Sequence, residues 1–469
     1  MTEHVTIIEA KERFKQDVGT DKEAKAPAFS EDAIALKFTG IYGDDLRYVA
    51  LWNKWLIWDG QRWAFDPTTN VYDLARAVCR EEAARCEKEG EAKRIANLKT
   101  RAAVENLARY DRQHAATTDQ WDRDPQFLNT PAGMVDLRTG DIRSHKREDY
   151  CTKITAVAPG NGCSKWVEFL KRITDGDDEL QDYLRRVAGY CLTGLTQEHA
   201  LFFGFGSGAN GKGVFVNTLA GVMGEYHTTS PRETFIVSHT DRHPIELAGL
   251  RGARLVTATE TEEGRRWAEA KIKALTGGDP ISARFMRQDF FEFTPQFKLL
   301  ITGNHKPQLR NVNEAMRRRF NLIPFNVTIP EEERDEQLAE KLKKEWPGIL
   351  AWAIEGAAEW GMMGLRQPEA VRVATDQYLE AEDALVRWIE ECCNEGPNFA
   401  ATPGDLYKNW REWCDTAGEF VGSQKRLTQN LESHGYERAR VGAASIRGFR
   451  GLSPKTQESR PEEVRTDLR

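Results

Sequence analysis

An α/β architecture organised around a parallel sheet follows from three stretches of this chain. Leu201 to Phe203 is a short apolar run, followed by the side-chain-poor Gly206-Ser207-Gly208-Ala209-Asn210-Gly211-Lys212-Gly213 and then, from Val214 to Leu219, by apolar spacing that suits a helix. Leu255 to Ala258 is a second apolar run, ending in Glu260 and Glu262. A third, from Phe297, ends in polar residues at Gly303-Asn304-His305-Lys306. Open parallel sheets bind ligands beyond the carboxyl ends of their strands, so polar residues at such ends are placed to meet one.

Size and composition bound the rest. With 469 residues and 53.3 kDa the chain has length for two to four domains. It is 40% apolar and 30% charged, with mean hydropathy −0.61, and no stretch approaches the roughly 20 apolar residues of a membrane-spanning helix. The start, Met1-Thr-Glu-His-Val-Thr-Ile-Ile-Glu9, lacks a basic segment followed by a long apolar one, so a cytoplasmic location is expected. Eight cysteines form no Cys-x-x-Cys pair and no zinc-like alternation with histidine, which predicts reduced packing residues. A net charge of −7 confines any nucleic-acid contact to a local patch.

In chain order, residues 1–46 read as a tail or linker, with a short helix over Val5 to Phe14. From Arg47 the chain is aromatic and β-branched, and Trp55-Leu56-Ile57-Trp58 and Trp63, split by Asp59-Gly60, predict a hairpin. These tryptophans are able to stack bases, but core packing is the favoured reading. Val71 to Ala115 predicts two helices broken near Gly90. Short strands follow over Asp124 to Arg143, closing an N-terminal α/β domain at 47–160. Helices from a Ser164 N-cap to Ile173 and from Asp178 to Leu192 form a helical collar at 161–199, suited to contacts between subunits.

The glycine loop is the chemical centre. Backbone N–H groups of such a loop close around phosphate oxygens, the following helix aims its positive end at the same charge, and Lys212 reaches the terminal phosphates. A P-loop has Ser or Thr after the lysine to hold Mg²⁺, whereas Gly213 stands here. Taken alone, a tight turn that packs a helix on a strand explains the loop as well. Glu260 at a strand end suits Mg²⁺, directly or through water, with Glu260 or Glu262 polarising the attacking water. Ile281 to Thr294 reads as a hairpin with its tip near Arg287, and a basic hairpin contacts phosphates without reading bases. Asn304 is placed to sense a γ-phosphate, with an ordinary turn asparagine as the alternative. Arg317-Arg318-Arg319 precede an apolar strand, where an arginine supplied by a neighbouring subunit stabilises phosphoryl transfer.

Order and spacing carry more than any one signal. Within about 120 residues the chain lists, in sequence, the parts of an NTP-hydrolysing site shared between subunits. The stretches Gly206 to Gly213, Arg254 to Gly264, Ile272 to Pro280, Lys298 to Pro307 and Arg318 to Phe325 resemble superfamily 3 helicases of the AAA+ class. The likeness is to the helicase part of the phage/plasmid primase family, related to poxvirus-type D5 NTPases. Leu128 to Gly140 and Tyr183 to Gly194 resemble the domain that precedes that ATPase.

The resemblance implies an AAA+ P-loop NTPase core, a three-layer α/β sandwich, at 200–330. It implies ATP or another NTP with Mg²⁺, with Lys212 on the β/γ-phosphates, Glu260 on the Walker B strand and metal, Asn304 as sensor, and Arg318 or Arg319 acting in trans. Lys271, Lys273, Arg284 and Arg287 would line the DNA-contacting region, and water or Thr218 would replace the hydroxyl that Gly213 lacks. It implies a replicative DNA helicase of a mobile element in a bacterial host cell, a hexameric ring on single-stranded and forked DNA beside a separate primase or replisome protein. The 46 residues before the shared region are too few for a primase domain, so no priming activity is expected. The rivals are an ATP-driven remodelling or packaging motor and a non-enzymatic ATP-binding origin-recognition protein.

Downstream, 331–380 reads as a helical lid, 381–453 as a winged helix and 454–469 as a disordered tail. Leu406, Trp410 and Trp413 share a buried face, Ser423 caps a helix that buries Leu427 and Leu431 and turns Lys425 outward, and Arg438, Arg440, Arg447 and Arg450 lie on a hairpin. DNA and a protein partner are equally good occupants of that surface.

Overall fold

A computed structural model describes residues 25–237, 245–260, 266–284, 290–307, 309, 314–382, 384–441 and 446–455. The chain forms two compact units, one of residues up to 123 with 145–153, the other of 124–144 with 154 onward.

The first unit opens with α1 (Glu31–Tyr42), capped by Ser30, whose Oγ accepts the Ala33 N–H at 3.1 Å. A sheet follows from β1 (Leu46–Val49), β2 (Lys54–Trp58), β3 (Trp63–Phe65) and later β4 (Ala115–Ala116), in the order β3-β2-β1-β4. The expected hairpin is β2–β3, with Asp59 Oδ1 accepting the N–H groups of Gln61 and Arg62 at 2.8 Å each. Helices α2 (Asn70–Arg85), α3 (Glu89–Ile95) and α4 (Leu98–Arg109) complete it.

Residues 31–42 are no linker, because Ile34, Ala35 and Phe38 are buried with Val71, Ala75, Val78 and Val104 in this unit's core; Val5 to Phe14 lie outside the described residues. Three helices replace the two broken at Gly90. The breaks fall at 86–88 and 96–97, where Asn97 caps α4 through the Thr100 N–H at 2.8 Å, and Gly90 sits inside α3. Trp63 is fully buried and stands 5.9 Å from Trp121, in keeping with a core role.

The second unit begins with β5 (Phe127–Thr130), β6 (Gly133–Asp136) and β7 (Ile142–Arg143), an antiparallel sheet. Its Leu128 and Val135 join the apolar cluster of Trp166, Tyr183 and Tyr226, so these strands belong with the larger unit and the domain drawn at 47–160 is divided. Next come α5 (Ser164–Ile173) and α6 (Asp178–Leu192), within the expected bounds; Cys163 rather than Ser164 holds the cap position of α5.

The central sheet is built by β8 (Leu201–Phe205), α7 (Lys212–Met223), β9 (His227–Thr229), α8 (Ile245–Ala248), β10 (Leu255–Glu260), α9 (Glu269–Gly277), the hairpin β11 (Ile281–Ala283) and β12 (Phe291–Phe293), β13 (Lys298–Gly303), α10 (Glu314–Arg317) and β14 (Phe320–Pro324). Its order is β14-β8-β13-β10-β9, every neighbouring pair parallel. Both faces are covered, which is why β8 and β13 are buried along nearly their whole length.

Helices α11 (Leu338–Lys344) and α12 (Trp346–Met363) are not a separate lid. A Cβ on Gly189 of α6 would lie 2.0 Å from the Ala357 nitrogen, and one on Gly356 of α12 would lie 2.2 Å from the Arg185 carbonyl. The two helices therefore meet backbone to backbone, inside the main apolar cluster. Helix α13 (Glu369–Glu382) lies along β14, Thr375 Oγ1 accepting the Leu322 N–H at 2.9 Å.

The chain ends in α14 (Ala384–Cys392), β15 (Cys393–Ala401), α15 (Pro403–Ala417), α16 (Gln424–Ser433), β16 (Arg438–Val441) and β17 (Ile446–Pro454), the strands in antiparallel order β15-β17-β16. Leu406, Trp410, Trp413, Leu427 and Leu431 form its core, and Ser423 caps α16. All eight cysteines are free thiols. Among the described residues no helix is long and apolar enough to cross a membrane.

Candidate active site

At the carboxyl edge of the sheet, Phe205 of β8 is level with Gly303 of β13 and Pro324 of β14, and Glu260 of β10 is level with Gly303. The glycine loop leaves β8 at this edge, and its shape explains its composition. A Cβ on Gly206 would fall 2.0 Å from Asn210 Nδ2 and 2.4 Å from the Phe325 carbonyl oxygen. Gly211 has φ +81° and lies against Ile173, which a Cβ would approach to 2.4 Å. Gly208 and Ala209 are also left-handed, at φ +104° and +47°. Asn210 is 2% exposed and donates from Nδ2 to the Phe325 carbonyl at 3.1 Å, so it is a strut inside the loop. Ser207 faces solvent.

Lys212 opens α7, and its ammonium bridges the loop to the neighbouring strand. Nζ donates to the Gly206 carbonyl at 2.9 Å and to Asn304 Oδ1 at 2.7 Å, with Asn210 Oδ1 at 3.5 Å. Burial holds its pKa below the usual lysine value. The first-turn N–H groups of α7 precede the ladder that starts with Phe215 N–H on the Gly211 carbonyl, so they point into the loop. Lysine, loop amides and Asn304 thus converge where an anion with several oxygens can be held.

Glu260 ends β10 beside that position; its side chain, and all of Glu262, lie outside the described residues. A Cβ on Gly213 would meet nothing within 4 Å, so a hydroxyl-bearing side chain has room there but is not supplied. Thr218 does not replace it, being buried, five residues on and about 140° round the helix. One carboxylate with phosphate oxygens and water is still a donor set that Mg²⁺ accepts, since that ion keeps several waters. Among the described residues no group of three or more Asp, Glu, His or Cys side chains could hold a metal by itself.

The arginines stand at the opposite edge. Arg318 and Arg319 form the turn before β14, whose first residue, Phe320, pairs with the first residue of β8, and the Leu201 N–H reaches the Arg319 carbonyl at 2.7 Å. Over the five residues of β8, at about 3.3 Å each, they are roughly 13 Å or more from the loop of their own chain. The structure also separates the two. Arg319 is 8% exposed and tied to Thr276 Oγ1 at 3.2 Å and the Ala315 carbonyl at 2.8 Å, whereas Arg318 faces solvent.

The sequence reading missed two buried cations at this same edge. Arg254 donates to the carbonyls of Leu192 and Phe127, at 2.7 Å each, with its guanidinium 4.6 Å over Tyr226. Lys298 Nζ donates to the carbonyl oxygens of Thr193, Leu195 and Gln296 and lies 4.8 Å over Tyr190. Burial pulls the Lys298 pKa to about 7. Both satisfy carbonyls at or just after the C-terminus of α6, where positive charge is favoured. A lysine and an arginine at strand starts read as boundary residues, and only the tertiary fold shows otherwise.

The expected DNA-contact residues fall in two places. Lys271 and Lys273 are half-buried on α9, and Arg284, at the base of the β11–β12 hairpin, is 5.0 Å over the Phe290 ring; Arg287 lies outside the described residues. In the C-terminal domain Lys425, Arg438, Arg440 and Arg447 are all exposed, Arg438 paired with Glu432, and Arg440 directly opposite Arg447 across β16 and β17.

Residues 35–175 match the family described as D5 N terminal like, and residues 205–319 match a family of unknown function. Three viral relatives each bear the name "Putative helicase". The chain is 25% identical over 321 residues to that of Acanthamoeba polyphaga mimivirus, covering 62% of this chain and 33% of the relative. For Invertebrate iridescent virus 6 the figures are 27% over 246 residues, 48% and 24%, and for Invertebrate iridescent virus 3 they are 24% over 352 residues, 67% and 37%. The chain thus spans about a third or less of the length of the first two. The apo C-terminal region of NrS-1 aligns with 92% of this chain and 100% of its own length, at 12% identity and a TM-score of 0.49. The chain is thus similar to the D5 N-terminal-like family over residues 35–175 and, at 24–27% identity, to these viral proteins named as putative helicases.

Proposed function

We propose that this chain is an NTP-driven DNA helicase working as a six-membered ring around one strand, with an AAA+ core formed by the parallel sheet and a C-terminal winged helix. The observation that carries the reading is the division of charge across the sheet. Lys212 and Asn304 meet at one edge, and the exposed Arg318 stands at the other, so the full set needed for phosphoryl transfer comes together only when a second copy lies alongside. Phosphate oxygens arriving at the loop take the Lys212 ammonium from Asn304, whose amide then faces the γ-phosphate and the attacking water. Glu260 would hold Mg²⁺, which would supply charge neutralisation at the triphosphate when bound, and Glu260 or Glu262 would polarise the water. Arg318 of the adjoining copy meets the charge that develops on the transferred group.

The DNA side rests on local positive charge in a chain of net charge −7. Lys425, Arg438, Arg440 and Arg447 are all exposed on the C-terminal domain, a local concentration of positive charge that suits a polyanion. The names of the viral relatives favour unwinding over packaging. The test is strand separation on a forked duplex with Mg²⁺ and ATP, wild type against Lys212→Ala. Duplex binding with hydrolysis but no strand separation would replace the helicase by a packaging or remodelling motor, and no hydrolysis at all would remove the motor. Single-strand affinity should fall with salt at a log-log slope of about −0.7 per phosphate contacted.

A further inference from the structure

Strand β13 begins with one lysine and is followed, three residues past its end at Gly303, by another, Lys306. Lys298 at the start gives its ammonium to the carbonyls of Thr193, Leu195 and Gln296. Lys306 makes no hydrogen bond or ion pair among the described residues, and its ammonium rests on ring faces instead. Nζ stands 4.5 Å over the ring of Phe205 and 5.7 Å over that of Tyr378. A surface lysine ordinarily lays its stem on apolar groups and sends the head to water. Here the head itself is on the rings, half-buried, with burial pulling its pKa down and the Glu382 carboxylate drawing it up.

Phe205 ends β8 and is level with Gly303, so the contact draws the chain that leaves β13 over the end of β8. That is the side on which Asn304 Oδ1 meets Lys212 Nζ at 2.7 Å; the other neighbour of β13 is β10, which ends at Glu260. Asn304 therefore lies between a residue held in the sheet, Gly303, and one seated on β8, Lys306. We infer that Lys306 is a positioning residue: by resting on Phe205 it keeps Asn304 at the glycine loop when phosphate oxygens take the Lys212 ammonium, an assignment that rests on the NTP reading above. The contact with Phe205 involves neither the Lys212 nor the Asn304 side chain, so it outlasts that exchange.

The experiment compares Lys306→Met, which keeps the stem and loses the charge, with Lys306→Arg, whose guanidinium also stacks on rings. Lys306→Met is made in an Asn304→Ala background as well. ATP affinity is measured by calorimetry with Mg²⁺, and turnover at saturating ATP with single-stranded DNA. Lys306→Met should lower kcat by about tenfold and leave the ATP Kd within about twofold, and Lys306→Arg should restore most of the loss. In Asn304→Ala the same substitution should change kcat by less than about twofold, because a residue that acts through another has nothing left to act on. A merely structural loss would lower both backgrounds alike. Amide hydrogen exchange at 304–306 in nucleotide-free protein should quicken by about fivefold in Lys306→Met and return towards wild type in Lys306→Arg.

Wild-type kcat in Lys306→Met, or an undiminished loss in the Asn304→Ala background, overturns the assignment. Wild-type hydrolysis in Lys212→Ala overturns the phosphate-loop reading instead. In a protein that hydrolyses no ATP at all, unchanged exchange at 304–306 in Lys306→Met still overturns the placement of Asn304 by Lys306. Should Lys306→Met not fold by thermal melt, Phe205→Leu removes the ring and leaves the lysine, and wild-type turnover in that variant overturns the role of the contact.

Discussion

Lys212 Nζ and Asn304 Oδ1, 2.7 Å apart, tie the helix that follows β8 to the residue that follows β13. The bond joins two neighbouring strand ends at the point where the ligand of a parallel sheet sits. It makes these two side chains partners before they are partners of any phosphate.

Lys212→Ala should therefore abolish DNA-stimulated ATP hydrolysis, since a loop without its cation binds a triphosphate poorly. Asn304→Ala should spare binding and lower kcat by about 10²-fold, as loss of one preorganised polar group at a transferring phosphoryl does elsewhere. Paired measurement of nucleotide Kd and kcat separates the two; an Asn304→Ala protein that turns over at the wild-type rate would remove Asn304 from the site.

The arginine pair should split by function. Arg319→Ala leaves Thr276 and the Ala315 carbonyl without their donor and should cost about 1–3 kcal/mol of stability in urea unfolding. Arg318→Ala should unfold like wild type yet lose hydrolysis by about 10³-fold. Mixing Arg318→Ala with Glu260→Gln subunits should restore some turnover at hybrid boundaries. If no mixing ratio restores any, Arg318 does not act across the boundary.

At the loop the glycines differ in what they tolerate. Gly213→Ser has open space and should fold normally, with a lower Mg²⁺ concentration giving half-maximal hydrolysis. Gly211→Ala, with φ +81° and Ile173 in the way, should destabilise the loop and reduce ATP affinity. An unchanged Mg²⁺ requirement in Gly213→Ser would show that the ion is held without that position.

For Lys298 the pH dependence has a defined sign. Its folded pKa, about 7, lies below the roughly 10.4 of an unfolded lysine, so between those values the unfolded chain binds a proton that the folded chain releases. Stability should rise as pH climbs from 7 towards 10, and the rise should be missing from Lys298→Met. That variant also strands the carbonyls of Thr193, Leu195 and Gln296, so it should be less stable by about 1–3 kcal/mol at pH 9. Urea unfolding at three pH values tests both parts.

What was legible in the sequence was whatever repeats along a short window. Helices α5 and α6 matched their apolar spacing, and the glycine loop announced itself because its close contacts admit no side chain at Gly206 or Gly211. Strand β15 was missed because Gly396-Pro397-Asn398 reads as a turn, and in the fold the register does slip between Glu395 and Ala400. Short, polar β9 became a strand through pairing with β10 rather than through its own pattern. The supposed lid failed for a similar reason. Gly189 and Gly356 are far apart in sequence, and only their meeting shows that α12 is structural. Arg318 and Arg319 look interchangeable in a row of three arginines until burial distinguishes them.

Helix α13 ends beside the Asn304 segment. Tyr378 Oη donates to the Pro307 carbonyl, and Glu382, at the end of α13, accepts the Leu309 N–H at 2.9 Å. The arginine-studded terminal module begins at Ala384, two residues on in the sequence. Under the helicase reading, load applied there by a nucleic acid would arrive through α13 within five residues of Asn304, giving the module a mechanical lever on the timing of each hydrolytic step.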